Sequence, residues 1–384
     1  MAKVHIALVG GQPTPVYQGI VLSAPDRIIL ICSWQTKNKA EEIREQLKSL
    51  HYYNVQIEVF SVEDSESIRF KLEILFGTLS DEDELSMNLS GGVKIWSLLC
   101  IQLCPKDDAY VYCLSQNGKV LTIRGKQDNS YVQFDMFTQF ALLGHPLEHY
   151  TKFSKYTEIE QHNYEVISKL YTNSTFQKLL KKLQIEVKNN KVFFKENQSI
   201  TIDEDNYHYI EWSKEDSVFA ISLGKSTNFY HEVSGEHAIT MLVNTGWFEY
   251  EVASYFARLY GSNNVFTNCV FKSENGQDKN EIDVIANTGQ KLIFVECKTE
   301  IKEITAIDKF ASVVKNYGGN GSKAMFITRF EMNKIQQEKC RDNHIADFYI
   351  MYNVKKQDGR VFAQSITDEQ LRHKLNEFIT IANE

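Results

Sequence analysis

The sequence is poor in several features that mark specialised classes of protein. Its 384 residues include 5 prolines and no low-complexity tract, which leaves little room for long disordered linkers. No stretch approaches roughly 18 apolar residues, so we expect no membrane span. The 7 cysteines are scattered and form no CxxC pair, which argues against structural zinc and favours a reduced, cytoplasmic protein. The short apolar run near the amino terminus predicts a strand rather than a signal peptide.

Positive charge is not in excess either. The formal net charge is -8 and the sequence pI is about 5.8. This argues against a general nucleic-acid coat, which needs a basic surface. The negative net charge does not exclude a nuclease, because a metal-dependent active site is itself acidic.

What the chain does have is length and alternation. Its 384 residues are more than a single hydrophobic core usually serves, so two or three domains are expected. Up to about residue 125, strand patterns such as "VHIALVGG", "RIILICSW", "VQIEVFSV" and "LSMNLSGG" alternate with helical ones, and "AYVYCLSQNGKVLTI" predicts a hairpin turning at Asn117–Gly118. Alternating βα units predict a mostly parallel, doubly wound sheet, which binds ligands beyond the carboxyl ends of its strands.

The rest of the chain divides into a weaker and a stronger pattern. From about 126 to 230 the sequence predicts a small helix-plus-hairpin connecting module, with a winged helix as one option. From about 231 the alternation returns, with one long helix or two, a strand-turn-strand over "NEIDVIANTGQKLIFVECKTE", a helix closed by glycines, and a short buried strand "KAMFIT".

The stretch "KLIFVECKTE" is unusual because a strand that is apolar on both faces ends with two side chains of opposite charge, Glu296 and Lys298. If "TGQK" is a four-residue turn, Ile285 faces Phe294 and Asp283 faces Glu296 across the hairpin. Side chains alternate along a strand, so Lys298 shares the face of Glu296. The pattern therefore predicts two carboxylates and one ammonium in a cluster at the end of a buried strand.

Two carboxylates that face each other repel, and without a cation one of them would protonate at a raised pKa. A hard divalent ion such as Mg²⁺ or Mn²⁺ relieves this repulsion, and Lys298 could then orient or deprotonate a bound water and neutralise a phosphate. The competing interpretation is a solvated Glu–Lys surface pair. A central strand and a matching Asp283 on its neighbour favour the metal site.

These residues carry a resemblance. "EIDVIA…LIFVECKTE" resembles the core of the PD-(D/E)xK nuclease superfamily, although Ile282 replaces the proline before Asp283. The resemblance implies that Asp283 and Glu296 are metal ligands, that Lys298 is catalytic, and that the backbone carbonyl of Cys297 is a further ligand. The family often adds a helix acid, for which we choose Glu249. The competing helix and loop acids are Glu251, Glu236 and Glu232.

A second constellation is the loop in "MNLSGGVKIW". A strand ends, two glycines permit a tight turn, and a helix begins, where amide groups and the helix dipole favour anions. Ser90 adds a hydroxyl and Lys94 a charge. The first strand ends similarly in "GGQPTP", and both loops can meet where the strand order reverses. A plain turn is the alternative, and the spacing does not fit a Walker sequence.

This combination resembles the CRISPR-associated Rossmann-fold (CARF) domain. That family carries a motif like Asn88 to Lys94 after its fourth strand and binds cyclic oligoadenylates across a two-fold dimer interface. The loops at the ends of the first two strands match other ligand-facing positions. The implied ligand-binding residues are Gly10, Gly11, Gln12, Pro13, Thr14, Pro15, Ser33, Thr36, Lys37, Asn88, Ser90, Gly91, Gly92 and Lys94.

The order of the motifs resembles the CARF-nuclease effectors of type III CRISPR defence. It implies an α/β chain with a Rossmann-like CARF domain at 1–150, a connecting module at 151–230, and a restriction-endonuclease-like α/β domain at 231–384. The implied activity is cleavage of DNA, RNA or both with Mn²⁺ or Mg²⁺, in a homodimer activated by a cyclic oligoadenylate, with the tetramer as our choice. The rival hypothesis is a cyclic-oligoadenylate-binding regulator of DNA whose nuclease-like domain is inactive.

Overall fold

The computed structural model describes residues 1–115, 118–128, 130, 135–203, 207–225, 230–271, 280–289, 291–319, 322–355 and 361–381. Asn117, half of the predicted hairpin turn, lies outside these residues. Among the helices of the described residues, none is long and apolar enough to cross a membrane.

The first sheet has six strands in the order β3-β2-β1-β4-β5-β6. Its strands are β1 (Lys3–Leu8), β2 (Arg27–Cys32), β3 (Val55–Val59), β4 (Glu84–Asn88), β5 (Tyr110–Leu114) and β6 (Val120–Arg124). The connecting helices are α1 (Thr14–Ser23), α2 (Lys37–Lys48), α3 (Ser65–Gly77) and α4 (Lys94–Leu103). All neighbouring pairs are parallel except β5–β6, which is antiparallel. The predicted alternation and hairpin are confirmed.

The central strands of this sheet are apolar on both faces, as β1 and β2 show in "KVHIAL" and "RIILIC". Helices must therefore cover both sides, which is the physical reason for the doubly wound arrangement. The chain builds outward from β1 to β3 and then crosses to β4. The strand order thus reverses between β1 and β4, and the loops that follow these two strands emerge side by side.

The middle of the chain is larger than the predicted helix and hairpin. It comprises α5 (Met136–Leu142), β7 (Leu147–Lys152), α6 (Glu158–Leu170), α7 (Ser174–Asn189), and a second sheet of β8 (Gln198–Thr201), β9 (His208–Ser213), β10 (Val218–Leu223) and β11 (Tyr230–Ser234). The strands of this sheet are antiparallel, in the order β11-β10-β9-β8.

The third sheet also has six strands, in the order β16-β15-β14-β13-β12-β7. The remaining elements are α8 (Ala238–Val243), α9 (Gly246–Tyr260), β12 (Val265–Phe271), β13 (Asn280–Asn287), β14 (Leu292–Lys298), α10 (Thr305–Tyr317), β15 (Lys323–Thr328), α11 (Lys334–Asp342), β16 (Ile345–Tyr349), β17 (Met351–Lys355), β18 (Val361–Ser365) and α12 (Asp368–Ile381). The helical stretch after residue 236 is two helices, and the charged strand β14 is central, as expected.

Strand pairing and core packing cross the positions of the predicted domain boundaries. The predicted boundary at residue 150 falls inside β7, which pairs with β12 of the third sheet. The helices and strands from 158 to 234 share one apolar core with α9 and with one face of the third sheet. They are therefore packed into the carboxyl-terminal region rather than standing apart from it.

Helix α5 connects the first sheet to the third. Its Phe140 packs edge-to-face against Phe271 of β12 at a ring-centroid distance of 5.0 Å. Its Gln139 is buried and donates a 2.7 Å hydrogen bond from Nε2 to the carbonyl oxygen of Gly318, which caps α10. Helix α5 thus packs on the third sheet through aromatic pairs and a buried amide, both specific in geometry, and its Leu142 lies in the apolar core beside β1 and β2.

Candidate functional site

The candidate active site lies where β13 and β14 stop pairing. Their antiparallel ladder includes the predicted pair Ile285–Phe294 and ends at Val284–Val295. At the next residue of β13, a side chain takes the place of the backbone carbonyl as acceptor. Oδ2 of Asp283 accepts a 2.7 Å hydrogen bond from the Cys297 amide. Asp283 therefore bonds to the backbone of β14 rather than standing directly opposite Glu296 in the ladder.

Lys298 joins the two carboxylates. Its Nζ lies 2.8 Å from Oε1 of Glu296 and 3.3 Å from Oδ2 of Asp283. The Asp283 side chain is 11% exposed, that of Glu296 17% and that of Lys298 40%, so two largely buried carboxylates meet a partly exposed ammonium. The structure brings together all three residues that we predicted to be catalytic.

The ionised forms of the two acids in this cluster are disfavoured by their surroundings. Burial, followed by the negative charge of Asp283, raises the pKa of Glu296 to about 7. Burial also raises the pKa of Asp283, against the opposing effects of Lys298 and the Cys297 amide. Burial lowers the pKa of Lys298, but the two carboxylates raise it by more, so its net pKa is above the ordinary value. Lys298 is therefore an ammonium near neutral pH, and of the roles we predicted for it this favours orienting a water and neutralising a phosphate over deprotonating a water.

Glu249, our choice for the helix acid, faces the same cluster from the first turn of α9. Burial raises its pKa well above the usual range, and the charges of Asp283, Glu281 and Glu296 raise it further. The structure thus brings Glu249 into the electrostatic reach of the acids that we predicted to bind metal.

The competing acids have other surroundings. Glu251 is buried, and a hydrogen bond from Tyr164 and the charge of Arg329 oppose the effect of its burial on its pKa. Glu232 is exposed and accepts a 2.8 Å hydrogen bond from the Tyr230 hydroxyl. Glu236 is exposed in the turn before α8. None of the three contributes to the pKa shifts of Asp283 or Glu296.

Sequence reasoning missed two neighbours of the cluster. Glu281 adds to the negative field at Glu249 and Glu296. Tyr156 bonds through its hydroxyl to Thr267 Oγ1 at 2.8 Å, and its pKa is raised to about 12 by burial and, more weakly, by Glu249. The signal for Glu281 was its place two residues before Asp283. Tyr156 is more than 90 residues away and gave no signal.

The donor set fits a hard divalent cation in chemistry, although the side chains are not arranged around one. Among the described residues, no three His, Cys, Asp or Glu side chains are grouped as a ready metal site. The carboxylates of Glu249, Asp283 and Glu296 are nevertheless oxygen donors of the kind that a hard divalent cation prefers, and burial is the largest cause of the raised pKa of each. The Cys297 side chain is buried in the core, and its backbone adjoins Asp283 through their hydrogen bond.

The two glycine loops of the first sheet meet as expected. A β-carbon on Gly91 would lie 2.2 Å from the carbonyl oxygen of Leu8, and one on Gly10 would lie 2.9 Å from the amide nitrogen of Gly92. Both distances are too short for real atoms, so only glycine permits this approach of the β1 and β4 loops. By contrast, Gly11 has open space around it and is exposed.

Several of the predicted ligand-facing side chains are used to build these loops. Asn88 is buried, donates to the carbonyl of Pro15 at 2.9 Å, and accepts from the amide of Ser90 at 3.0 Å. The Ser90 hydroxyl donates to Asn88 and accepts a 2.7 Å hydrogen bond from the Leu114 amide. These two side chains tie the loop after β4 to α1 and to β5.

The loop after β2 is held in the same way. Thr36 precedes α2, but its hydroxyl donates to the Val9 carbonyl at 3.1 Å instead of capping the helix, and it accepts from the Ser33 amide at 3.0 Å. Strand β2 ends at Cys32, so Trp34 lies in this loop rather than in the predicted strand, with 76% of its surface exposed. Lys37 lies 5.3 Å from the centre of the Trp34 ring.

The remaining ligand-loop residues lie at the same edge of the sheet. Lys94 is the exposed first residue of α4. Pro13 is buried at the start of α1, while Thr14 and Pro15 are partly exposed in its first turn. Gln12 reaches the third-sheet region, because a β-carbon on Gly319 would lie 3.2 Å from its Oε1 atom.

Comparison with known families supports this description of the amino-terminal region. Residues 4–141 match the family described as the Card1 CARF domain, and the region is a CARF domain of Rossmann-like fold. The match covers a little over a third of the chain. No curated protein matches the chain.

Solved structures share the fold over most of the chain. Can2 from Sulfobacillus thermosulfidooxidans, solved with cyclic tetra-adenylate, is 17% identical with a TM-score of 0.66, covering 98% of this chain and 97% of its own. Protein VC1899 from Vibrio cholerae is 13% identical with a TM-score of 0.73, covering 99% and 98%. A type III CRISPR defence DNA nuclease activated by cyclic oligoadenylate is 14% identical with a TM-score of 0.56, covering 87% of this chain and 46% of its own.

Proposed function

We propose that this protein is a metal-dependent nuclease of CRISPR defence that a cyclic oligoadenylate switches on. The observation that carries the proposal is the cluster of Lys298 with Asp283 and Glu296 on the two central strands of the third sheet, in a chain that begins with a CARF domain. A buried charge cluster with shifted pKa values is costly to a fold and is typical of a functional site.

Glu249, Asp283, Glu296 and the Cys297 carbonyl would hold a divalent Mg²⁺ or Mn²⁺ ion. Such an ion, when bound, lowers the pKa of a coordinated water and polarises a phosphoryl oxygen. The residues of the chain supply the rest: the carboxylates orient the site from rigid elements, and the Lys298 ammonium stabilises negative charge on a phosphodiester that is being cleaved. The substrate class is DNA, RNA or both.

The sensor would be the edge of the first sheet where the β1, β2 and β4 loops meet. Amide groups at the amino-terminal end of α4, together with Lys94, suit phosphate groups. Since a cyclic oligonucleotide with repeated units has rotational symmetry, two copies of this edge across a two-fold axis would bind it as one site. We therefore propose a cytoplasmic homodimer with cyclic tetra-adenylate as the activator. The complex of Can2 with this ligand supports the choice.

One experiment tests the whole proposal. Purified protein is incubated with labelled DNA and RNA, with and without Mn²⁺, against cyclic oligoadenylates of different ring size. We expect cleavage only when both metal and one ring size are present. Absence of cleavage, combined with tight binding of a cyclic oligoadenylate, would overturn the nuclease assignment and favour a ligand-binding regulator.

Coupling is tested with two classes of variant. A ligand shifts a two-state equilibrium only through its different affinity for the two states. A variant of the β4 loop should therefore need more activator and be partly rescued at high concentration. Glu296→Ala should not be rescued at any concentration. Full activity of the intact protein without activator would contradict the proposed switch.

A further inference from the structure

The carboxyl-terminal turn of helix α10, from Tyr317 to Gly319 (the α10 turn), lies against the CARF domain. A β-carbon on Gly319 would lie 3.2 Å from Oε1 of Gln12, in the loop after β1, and 3.6 Å from Nε2 of Gln139 in α5. Gln139 also donates its 2.7 Å hydrogen bond to the carbonyl oxygen of Gly318. The loop after β1, which we propose binds the activator, is therefore in contact with the third-sheet region.

The α10 turn also contacts the strand that carries Asp283. Tyr317, the last residue of α10, is 1% exposed, and its hydroxyl accepts a 2.7 Å hydrogen bond from Nδ2 of Asn280, the first residue of β13. The Tyr317 ring stacks on Phe271 at a centroid distance of 4.1 Å, and Phe271 pairs with Asn280 across β12 and β13. Both contacts hold the start of β13, three residues before Asp283.

The α10 turn is tied to its neighbours and still has room to move. Stacked rings and buried hydrogen bonds are specific in geometry, so Tyr317 and Asn280 should move together. Gly319 has a φ of +68°, a conformation that glycine adopts without strain. A cleft of about 890 Å³ borders Gly319 and Ser322 and gives the turn free space beside it. A shift of the loop after β1 can therefore displace the turn, and the turn then displaces the start of β13.

The start of β13 is a sensitive place for the carboxylate cluster. Glu281 follows Asn280, and its negative charge contributes to the raised pKa of Glu296. Asp283, on the same strand, lies 3.3 Å from Nζ of Lys298. The energy of two charges depends on their distance, so a small movement of this strand changes the arrangement of the groups that we propose to be catalytic.

We propose that the α10 turn couples activator binding to the carboxylate cluster. The activator shifts the loop after β1, Gln12 passes the shift to the α10 turn, and Tyr317 moves the start of β13. Tyr317 is then a positioning residue, which acts on Asp283 through Asn280. The proposal rests on the proposed function and deepens it, because it assigns the contact by which the CARF domain regulates the nuclease site.

The first test uses the linkage between two binding sites and needs no cleavage. If activator and metal act on one equilibrium, each must raise the affinity of the other by the same factor. The affinity for cyclic tetra-adenylate is measured by calorimetry on the full-length protein, with and without Mn²⁺ and without polynucleotide. We expect Mn²⁺ to raise this affinity in the wild type. Tyr317→Phe removes the hydroxyl and keeps the ring, and it should lessen the effect of Mn²⁺ by about 2- to 30-fold.

The control for Tyr317→Phe is Tyr230→Phe. The Tyr230 hydroxyl donates a 2.8 Å hydrogen bond to Glu232 on β11, away from the α10 turn. The control therefore also loses one hydroxyl hydrogen bond, and the effect of Mn²⁺ on activator affinity should stay as in the wild type.

Gln139→Met tests the side of the α10 turn that faces the CARF domain. It removes the amide donor to the Gly318 carbonyl and should act as Tyr317→Phe does. Gln184→Met removes a bond of the same kind, 2.8 Å from Nε2 to the Val243 carbonyl, and should have no effect. Because Gln139 is buried, the thermal unfolding of its variant is checked, and Tyr317→Phe keeps the test decisive if Gln139→Met does not fold.

Cleavage gives a second readout that a merely structural role would not change. The cleavage rate is measured with saturating cyclic tetra-adenylate and without it. The ratio of the two rates should fall in Tyr317→Phe and in Gln139→Met, because the activator then has less influence on the cluster. A loss of folded protein would instead lower both rates together and leave the ratio unchanged.

The outcomes separate the coupling from the nuclease function. A lessened effect of Mn²⁺ in Tyr317→Phe and Gln139→Met, without any cleavage by the wild type, would support the coupling and contradict the nuclease. Cleavage with an unchanged rate ratio and an unchanged effect of Mn²⁺ in both variants would overturn the coupling alone. An equal loss in Tyr230→Phe and Gln184→Met would also overturn it, and so would a wild-type activator affinity that Mn²⁺ does not change.

Discussion

The two candidate sites of this chain are built on opposite physical principles. In the loops after β1, β2 and β4 the side chains have partners within the protein: Asn88, Ser90 and Thr36 bond to the backbone of α1, of β5 and of the loop after β1, respectively. The carboxylate cluster at the end of β14 leaves its charges in conflict, with Glu249 and Glu296 at raised pKa values. The geometry of the first site depends on the packing of backbone atoms. The chemistry of the second site depends on the electrostatic field of its charged side chains.

This difference indicates which substitutions each site should tolerate least. A backbone-built site fails when an atom is added at a close approach, whereas a charge-built site fails when one charged group is removed. Conservative substitutions should therefore have opposite effects at the two sites. A carboxylate-to-amide change keeps shape and should be severe only at the cluster, and a glycine-to-alanine change keeps charge and should be severe only at the loops.

The largest expected effect is on cleavage by the cluster. Glu296→Gln and Lys298→Ala should each lower the cleavage rate by at least about 100-fold, because each removes a charge that faces the reacting phosphate or metal. Cyclic tetra-adenylate affinity should be unchanged. Glu232→Gln, which alters an exposed acid outside the cluster, is the control. Wild-type rates in either cluster variant would contradict the assignment of Asp283, Glu296 and Lys298.

Gly91→Ala should have the next largest effect. The added methyl group would lie 2.2 Å from the Leu8 carbonyl oxygen, so the β1 and β4 loops must separate. Overpacking of this kind costs roughly 1–3 kcal/mol of folding stability. Thermal unfolding and calorimetric titration with cyclic tetra-adenylate should both report the loss. Gly77→Ala in α3 also meets open space but lies outside the ligand loops, so it should behave as the wild type. Equal behaviour of the two variants would show that the close approach is unimportant.

Lys94→Glu should weaken activator binding by roughly tenfold, since it places a negative charge at a helix amino terminus that favours anions. The activation curve should move to higher activator concentration while its maximum stays the same. Lys188→Glu carries the same change in net charge on α7 and should leave the curve in place. An unchanged affinity in the Lys94 variant would move the ligand away from the α4 end.

The smallest effect is the pH dependence of stability without metal. Because Glu296 has a pKa of about 7 when folded and an ordinary value near 4.5 when unfolded, the folded state holds more protons between those values. The free energy of unfolding should therefore fall as pH rises from about 4.5 to about 7. Glu296→Gln should flatten this slope, and Mn²⁺ should oppose the fall. Denaturant unfolding across this range would reveal a rising or flat profile if the assignment is incorrect.

Much of the fold could be predicted because its strands are strongly patterned. The turn length between β13 and β14 fixes their register, so the pairing of Ile285 with Phe294 followed from the sequence. The neighbouring irregularity at Asp283 did not, because it depends on a hydrogen bond from its own side chain to the Cys297 amide. The hydrophobic periodicity of a sequence predicts regular strand pairing. It does not predict where a side chain takes the place of a backbone carbonyl as hydrogen-bond acceptor.

Strand β7, the position of Trp34 and the surroundings of Arg329 were harder to predict for a related reason. Strand β7 reads "LEHYTK", which is mostly polar and exposed, so hydrophobic alternation does not mark it. Trp34 was placed in a strand because aromatic residues favour strands, whereas it lies in a loop. Arg329 is surrounded by Tyr171 and Trp247, which are 158 and 82 positions away along the chain, and no local pattern encodes that grouping.

The buried hydrogen bond from Gln139 to Gly318 has a consequence for protein engineering. A CARF domain is an attractive cassette to exchange between effectors, but here the last helix of the matched region supplies both an amide donor and Phe140 to the third-sheet region. A graft that replaces this helix with an unrelated one leaves the Gly318 carbonyl with only the Ser322 hydroxyl as a side-chain donor and removes a ring from the packing around Phe271. Chimaeras of this chain should therefore keep residues 135 to 152 with the carboxyl-terminal partner, and transplanted sensors should join it before α5.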